Sequence, residues 1–151
     1  LIRAAKLINK QLVIIGDAVS GFETYHQACL QEGQGMTRFI PAMDQDHGLL
    51  ASAYAACDLY VLPAWFETPG MVALESILAG ANVASTTGGS TRDYFKDDVD
   101  YFDPAKPDSI ANAIQKGLKR SVNPEFKKRV MDEFTWEPIA QNTIQYYKEF
   151  L

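Results

Sequence analysis

Short apolar strands alternating with helix-length segments predict an α/β fold: a Rossmann-like, doubly wound parallel sheet with helices on both faces. Three observations carry this prediction. Leu12–Ile15, Thr37–Ile40, Leu59–Leu62 and Asn82–Ser85 are runs of strand length, each of which ends at a glycine, a proline or a Thr-Gly turn. Each is followed by a segment of helical length and character before the next run begins. A chain of 151 residues with 47% hydrophobic and 22% charged content is long enough for one real core and too apolar to be disordered.

The elements follow in order. Leu1–Asn9 has helical periodicity, with Leu1, Ala4, Ala5 and Ile8 on one side. The chain therefore starts inside an element, which reads as a piece of something longer. Leu12–Ile15 is a strand ending at Gly16, Phe22–Gln31 a helix, and Thr37–Ile40 a strand closed by Pro41. Asp46–Ala56 reads as a helix, with Leu49, Leu50, Ala53 and Tyr54 apolar. Leu59–Leu62 is apolar without alternation, as in a strand buried on both faces. Gly70–Ala79 is a helix stopped by Gly80. Its Met71, Val72, Ala73, Leu74, Ile77 and Leu78 leave almost no polar side, so it is expected to be buried all round. Asn82–Ser85 is a strand that opens into Thr86-Thr87-Gly88-Gly89-Ser90, and Tyr101–Phe102 a short strand before Asp103-Pro104. Ile110–Leu118 is an amphipathic helix with Pro107 near its start, and Pro124–Phe134 and Pro138–Phe150 close the chain as helices.

Composition narrows the function. Net charge is −5, and no lysine-arginine stripe appears before Lys116–Arg129, so nucleic acid is not an expected partner. The basic stretch around Lys116, Lys119, Arg120, Lys127, Lys128 and Arg129 reads as a solvated helical surface, with a membrane-surface role as the minor alternative. Cys29 and Cys57 make no disulfide framework and fit a reducing compartment. His26 and His47 lie far apart, without metal-ligand spacing, and read as surface or loop residues; no metal is expected. The longest apolar stretch, Leu49 to Phe66, is broken by Asp58 and Pro63 and has the organisation of helix then strand, so no membrane span is expected in it.

In doubly wound sheets ligands bind beyond the carboxyl ends of the strands. Gly16-Asp17, Pro41–Asp44, Pro63–Gly70 and Thr86–Ser90 all follow strand ends and are expected to line one edge. Two glutamates stand out there. Glu75 sits in the most apolar helix, where a lone carboxylate is costly, and none of Arg38, Arg92, Lys96, Lys106 and Lys116 is at helical spacing from it. A polyol could supply its partner, since one carboxylate accepts from two adjacent hydroxyls. A backbone donor, or a position facing out at the helix end, would serve as well. Glu67 precedes the turn Thr68-Pro69-Gly70, which leads into the helix N-terminus, a natural phosphate site that Gly70 would let a ligand approach closely. An anion site flanked by carboxylates suits a nucleotide sugar. The glycines do not form a GxGxxG dinucleotide fingerprint, and Gly88-Gly89 reads equally well as an ordinary tight turn.

The segment ETPGMVALE, Glu67 to Glu75, resembles the paired-glutamate motif of the retaining nucleotide-sugar glycosyltransferases of the GT-B fold, the "group 1" family. The resemblance extends in order through LVIIGD (12–17), YAACDLYVLP (54–63), LESILAGANVAST (74–86), GGSTRDYF (88–95), YFDPAKPDSIANAI (101–114) and FTWEPIAQNTIQYY (134–147), nearly the whole chain. It implies that residues 1–151 are the C-terminal, donor-binding half of such an enzyme. Position by position, Glu67 would be the catalytic-site carboxylate facing the transferred sugar, and Glu75 would hold the ribose hydroxyls. Thr68, Pro69, Gly70, Met71 and Val72 would meet sugar and diphosphate. Gly16 would close the strand beside them, and Pro41, Ala42 and Met43 would lie by the base. The donor would be a UDP-, GDP- or ADP-sugar, bound without metal or other cofactor. The acceptor, a sugar or lipid-linked hydroxyl, would come with an N-terminal domain outside this sequence. The implied reaction retains anomeric configuration, in the cytoplasm or at the inner face of its membrane.

Two departures from the family pattern stand out. The family's first strand, central in its sheet order, and the basic pair that follows it lie before the start of this sequence; Arg3 and Lys6, in the next helix, are not assigned that role. Thr68-Pro69-Gly70 replaces the commoner Gly-Phe-Gly. The alternatives are a non-catalytic nucleotide-sugar-binding or interaction module, another nucleotide-sugar enzyme such as an epimerase, and a receiver-like domain, for which Asp17 lacks a matching lysine.

Overall fold

The structure is a computed structural model and describes residues 1–43 and 48–151. The elements run α1 (Ile2–Leu7), β1 (Leu12–Ile15), α2 (Glu23–Glu32), β2 (Thr37–Ile40), α3 (Leu49–Ala56), β3 (Leu59–Leu62), α4 (Met71–Ala79), β4 (Asn82–Thr86), α5 (Thr91–Phe95), β5 (Asp100–Phe102), α6 (Pro107–Gly117), α7 (Pro124–Phe134) and α8 (Trp136–Glu149). The expected helix start at Asp46, the loop end at Asp44 and His47 lie outside the described residues.

All described strand pairs are parallel, as connection through helices requires. They form two sheets rather than one: β1 pairs with β2, and β3-β4-β5 make a three-stranded sheet with β4 central. The parallel α/β architecture with flanking helices is the one the alternation predicts. Among the described residues, β1 hydrogen-bonds only to β2 and β3 only to β4, so each keeps one open edge.

Successive side chains of β4 point to opposite faces, and each face is covered by helices. Val83 enters a cluster with Leu62, Leu74, Ile77, Phe95, Phe126 and Val130, which belong to α4, α5 and α7 and to β3. Ala84 enters a second cluster with Ala4, Phe102, Ile110 and Ile114, from α1, α6 and β5. Ala84 is small because α6 crosses directly over it. The heptad-like spacing of Ile110, Ala113, Ile114 and Gly117 turns one stripe of α6 to the sheet, where Gly117 lies against Leu59. Pro107 occupies the first turn of α6, where an N–H would have no helical partner. Asn123 caps α7: its side-chain oxygen accepts from the Glu125 N–H at 3.1 Å, while Pro124 opens the helix. Arg129 then ties α7 back, donating to the Tyr94 carbonyl at 2.8 Å and to Asp98 at 3.1 Å.

Three expectations change. Thr91–Phe95 forms a short helix where no element is expected; five residues are too few to show a period. The last helix begins at Trp136, placing Pro138 within its first turn. The helix expected to be buried all round is not: Met71 and Val72 are 56% and 40% exposed, while Ala73, Leu74, Ser76 and Ile77 are buried. The apolar residues at the start of α4 are thus left open to solvent. Among the described residues no helix is long and apolar enough to cross a membrane.

Candidate functional site

The carboxyl ends of β3 and β4 bring together the main group of expected site residues. Strand β3 ends at Leu62, and the chain then runs through exposed Trp65 and Phe66 to half-buried Glu67. Glu67 turns back on its own loop: its Oε1 accepts from the Thr68 N–H at 3.0 Å. The Thr68–Pro69 peptide is cis. Gly70 is the N-cap of α4 in a left-handed conformation (φ 81°), buried against Leu62 and the Glu67 side chain. A Cβ there would come within 2.9 Å of Leu62 and 3.1 Å of the Glu67 Cγ, so a glycine is required both for the angle and for the space.

No side chain caps the N-terminus of α4. The Ala73 N–H donates to the Gly70 carbonyl at 2.9 Å, which leaves the N–H groups of Met71 and Val72 without a helical partner, and the helix dipole adds partial positive charge. Thr68 and Met71 are exposed beside this end. The end can therefore take an anion, and Pro69, without an N–H, can only shape the loop.

Glu75 lies one turn further along α4 and is half-buried. Its partner is Tyr54 of α3, whose hydroxyl donates to Oε2 at 3.2 Å. Neither the sequence spacing nor the composition pointed to this tyrosine, which read only as an apolar helix residue; the two are neighbours because α3 packs on α4. Burial first, and then the Glu75 charge, push the Tyr54 phenol well above its ordinary range. Tyr60 of β3 stands edge-on to Tyr54, with ring centroids 6.0 Å apart. Its phenol is pushed up to about 12, by burial first and then by the charges of Glu67 and Glu75. Both carboxylates thus act on one phenol, which places them in one electrostatic neighbourhood.

A second group lies at the ends of β1 and β2. The Gly16 N–H donates to the Ile40 carbonyl at 3.0 Å, and the Ala42 N–H to Asp17 Oδ1 at 3.1 Å. Gly16 is thereby joined to Pro41, Ala42 and Met43. No hydrogen bond among the described residues links this group to Glu67 or Glu75.

Arg3 and Lys6 take no part in either group. Both reach Glu32 of α2, at 3.3 and 3.2 Å. His26 is on α2, half-buried and edge-on to Phe39, rather than in a loop. Cys57 caps the end of α3 as a half-buried thiol whose pKa is raised by burial. Among the described residues no cluster of three or more His, Cys, Asp or Glu side chains could hold a metal ion.

The chain is similar to known proteins. An uncharacterized glycosyltransferase of Methanocaldococcus jannaschii is 31% identical over 160 residues, spanning 98% of this chain and 40% of that protein. The lipopolysaccharide 1,2-N-acetylglucosaminetransferase of Salmonella typhimurium is 27% identical over 146 residues, 88% of this chain and 38% of that protein. The chain thus spans about two fifths of the length of these curated relatives. Among solved structures, sucrose-phosphate synthase of Thermosynechococcus elongatus superimposes with a TM-score of 0.82 at 26% identity, over 99% of this chain and 41% of that one. Anabaena HepE, solved in complex with UDP-glucose, gives a TM-score of 0.79 at 19% identity, over 98% of this chain and 44% of that one, and shows the same fold. The family described as "Glycosyl transferases group 1" matches residues 1–132, and this chain belongs to it.

Proposed function

We propose that this chain binds a nucleoside diphosphate sugar as the donor part of a glycosyltransferase. The observation that carries the reading is the flanking of the uncapped α4 N-terminus by two carboxylates, Glu67 before it and Glu75 one turn inside it. Diphosphate goes to the free N–H groups around Gly70, Met71 and Val72. The ribose hydroxyls go to Glu75, whose Oε2 is already engaged by Tyr54, which leaves Oε1 to accept from the ligand. Glu67 faces the sugar. Pro41–Met43, beside Gly16, lie toward the base. The relative solved with UDP-glucose supports a uridine nucleotide as the first candidate.

For the whole protein the reading gives a retaining sugar transfer. The bond from the anomeric carbon to the diphosphate breaks, and an acceptor hydroxyl oxygen bonds to the same face of that carbon. The acceptor proton leaves with the diphosphate, and the configuration is retained. The positive end of α4 stabilises charge as it develops on the departing diphosphate, so the reading calls on no metal.

Calorimetric titration of the protein with UDP, GDP and ADP tests the reading. One nucleotide should bind saturably, and Glu75→Gln should weaken it about tenfold, the scale of one hydrogen bond to a charged group. Binding indifferent to Glu75→Gln would remove Glu75 from the site. No saturable binding by the folded protein would favour an interaction module.

A further inference from the structure

The loop that carries Glu67 is held from one side by backbone alone. Glu67 and Gly89 form an isolated parallel bridge, beyond the ends of β3 and β4. The Glu67 N–H donates to the Gly88 carbonyl at 3.4 Å, and the Ser90 N–H donates to the Glu67 carbonyl at 3.1 Å. The approach leaves no room for a side chain. A Cβ on Gly89 would lie 2.2 Å from the Glu67 carbonyl oxygen and 2.8 Å from its nitrogen. A Cβ on Gly88 would lie 2.1 Å from the Trp65 carbonyl oxygen. These are backbone atoms, which cannot swing aside as a side chain would. Gly89 also has φ at 85°, where other residues are strained.

The other side of the clasp is anchored in the core. The Gly88 N–H donates to Thr86 Oγ1 at 3.0 Å, and the Thr91 hydroxyl donates to the Thr86 carbonyl at 2.8 Å. Thr86 and Thr91 are both fully buried. Buried β4 thus fixes the glycine pair, and the glycine pair fixes the Glu67 backbone. Glu75 is held separately, by α4 and Tyr54.

We propose that Gly88 and Gly89 are positioning residues that set the place of the Glu67 carboxylate without touching ligand themselves. The proposal rests on the role given to Glu67 above. A side chain at position 89 must push the Glu67 backbone away, whereas Glu75 keeps its own anchor in Tyr54. Sugar transfer then suffers and nucleotide binding does not.

The test is a double-mutant cycle in the whole protein containing this chain. UDP-glucose, GDP-mannose and ADP-glucose are offered in turn, and release of nucleoside diphosphate is followed with the one that turns over. Gly89→Ala, Glu67→Gln and the double variant are compared for kcat, for affinity toward the matching nucleoside diphosphate, and for thermal unfolding. Gly89→Ala should lower kcat about tenfold or more, keep diphosphate affinity within about twofold, and add less than about twofold once Glu67 is already glutamine. An equal loss in both Glu67 backgrounds, or a matching loss of diphosphate affinity, would overturn the proposal. Where Gly89→Ala does not fold, Gly88→Ala, which presses on Trp65 instead, is judged by the same criteria. Failure of both to fold would assign the pair to folding rather than positioning. Unchanged turnover in Glu67→Gln alone is a separate result, and would sink the reading of Glu67 itself.

Discussion

The phenol of Tyr60 feels both carboxylates of the site. With burial as the larger cause, it is pushed up to about 12, and Tyr101 reaches about 12 with burial again the first cause. Tyr54 moves the same way. In the unfolded chain these phenols ionise near an ordinary value of about 10. A group whose pKa is higher in the folded state favours folding while it stays protonated. That contribution is complete below the unfolded pKa and is lost as pH rises toward the folded one. The urea midpoint should therefore fall between about pH 10 and pH 12, and Tyr60→Phe should fall less steeply than the parent. Parallel curves for the two proteins would show that Tyr60 is not a source of the decline. The same residue scale shows where sequence reading ended. Glu67 and Glu75 were visible as carboxylates in apolar surroundings. Tyr54 was not visible as the partner of Glu75, because the pairing spans two helices.

Among the elements, α6 is the one whose fate was most legible and whose packing carries the clearest cost. Its apolar stripe is regular and its proline marks the start, and the structure seats Ile110 and Ile114 on Ala84 and Phe102. Ile110 is 2% exposed, so Ile110→Ala removes most of a buried side chain and leaves a cavity under the sheet. Such truncations cost about 2–5 kcal/mol, and chemical denaturation should find a loss in that range. A loss under about 1 kcal/mol would mean that α1 and β5 close over the gap. Helix α4 shows the opposite case. Its composition suggested burial all round, yet its first turn is exposed. Apolar content cannot tell an open helix end from one that is covered. Exposed Met71 and Val72 belong to the candidate site for this reason, because a ligand could cover them.

At the scale of the molecule, burial is unevenly shared. Every buried hydrophobic side chain among the described residues belongs to Ile2–Ala5 or to the chain from Tyr54 onward. Strands β1 and β2 and helix α2 contribute none, although their strand pairing is regular. Amide groups of Leu12–Ile15 should therefore exchange with solvent well ahead of those of Val83–Thr86, which lie in the central strand between two helix layers. Hydrogen exchange followed by mass spectrometry would resolve the two regions. Equal protection would show that the β1-β2 sheet is held by more than its own hydrogen bonds. Helix α8 packs against α7 and buries none of its residues, so it should exchange early as well.

Local chemistry determined much of this protein by itself. Short runs of strand length, a period of about 3.6 in the later helices, and glycine or proline at the junctions locate the strands and most helices. They also order them as parallel β-α units. The position of Glu67 and Glu75 around a helix start was likewise written in adjacent residues. Tertiary structure decided what depends on contact between distant segments. It divided the strands between two sheets, because hydrogen-bond pairing is settled edge against edge and leaves no trace in the strand itself. It paired Tyr54 with Glu75, and it turned a plain Gly88-Gly89 turn into the clasp on Glu67. Those two glycines look like any turn until the Glu67 backbone is found within 3 Å of where a Cβ on Gly89 would stand.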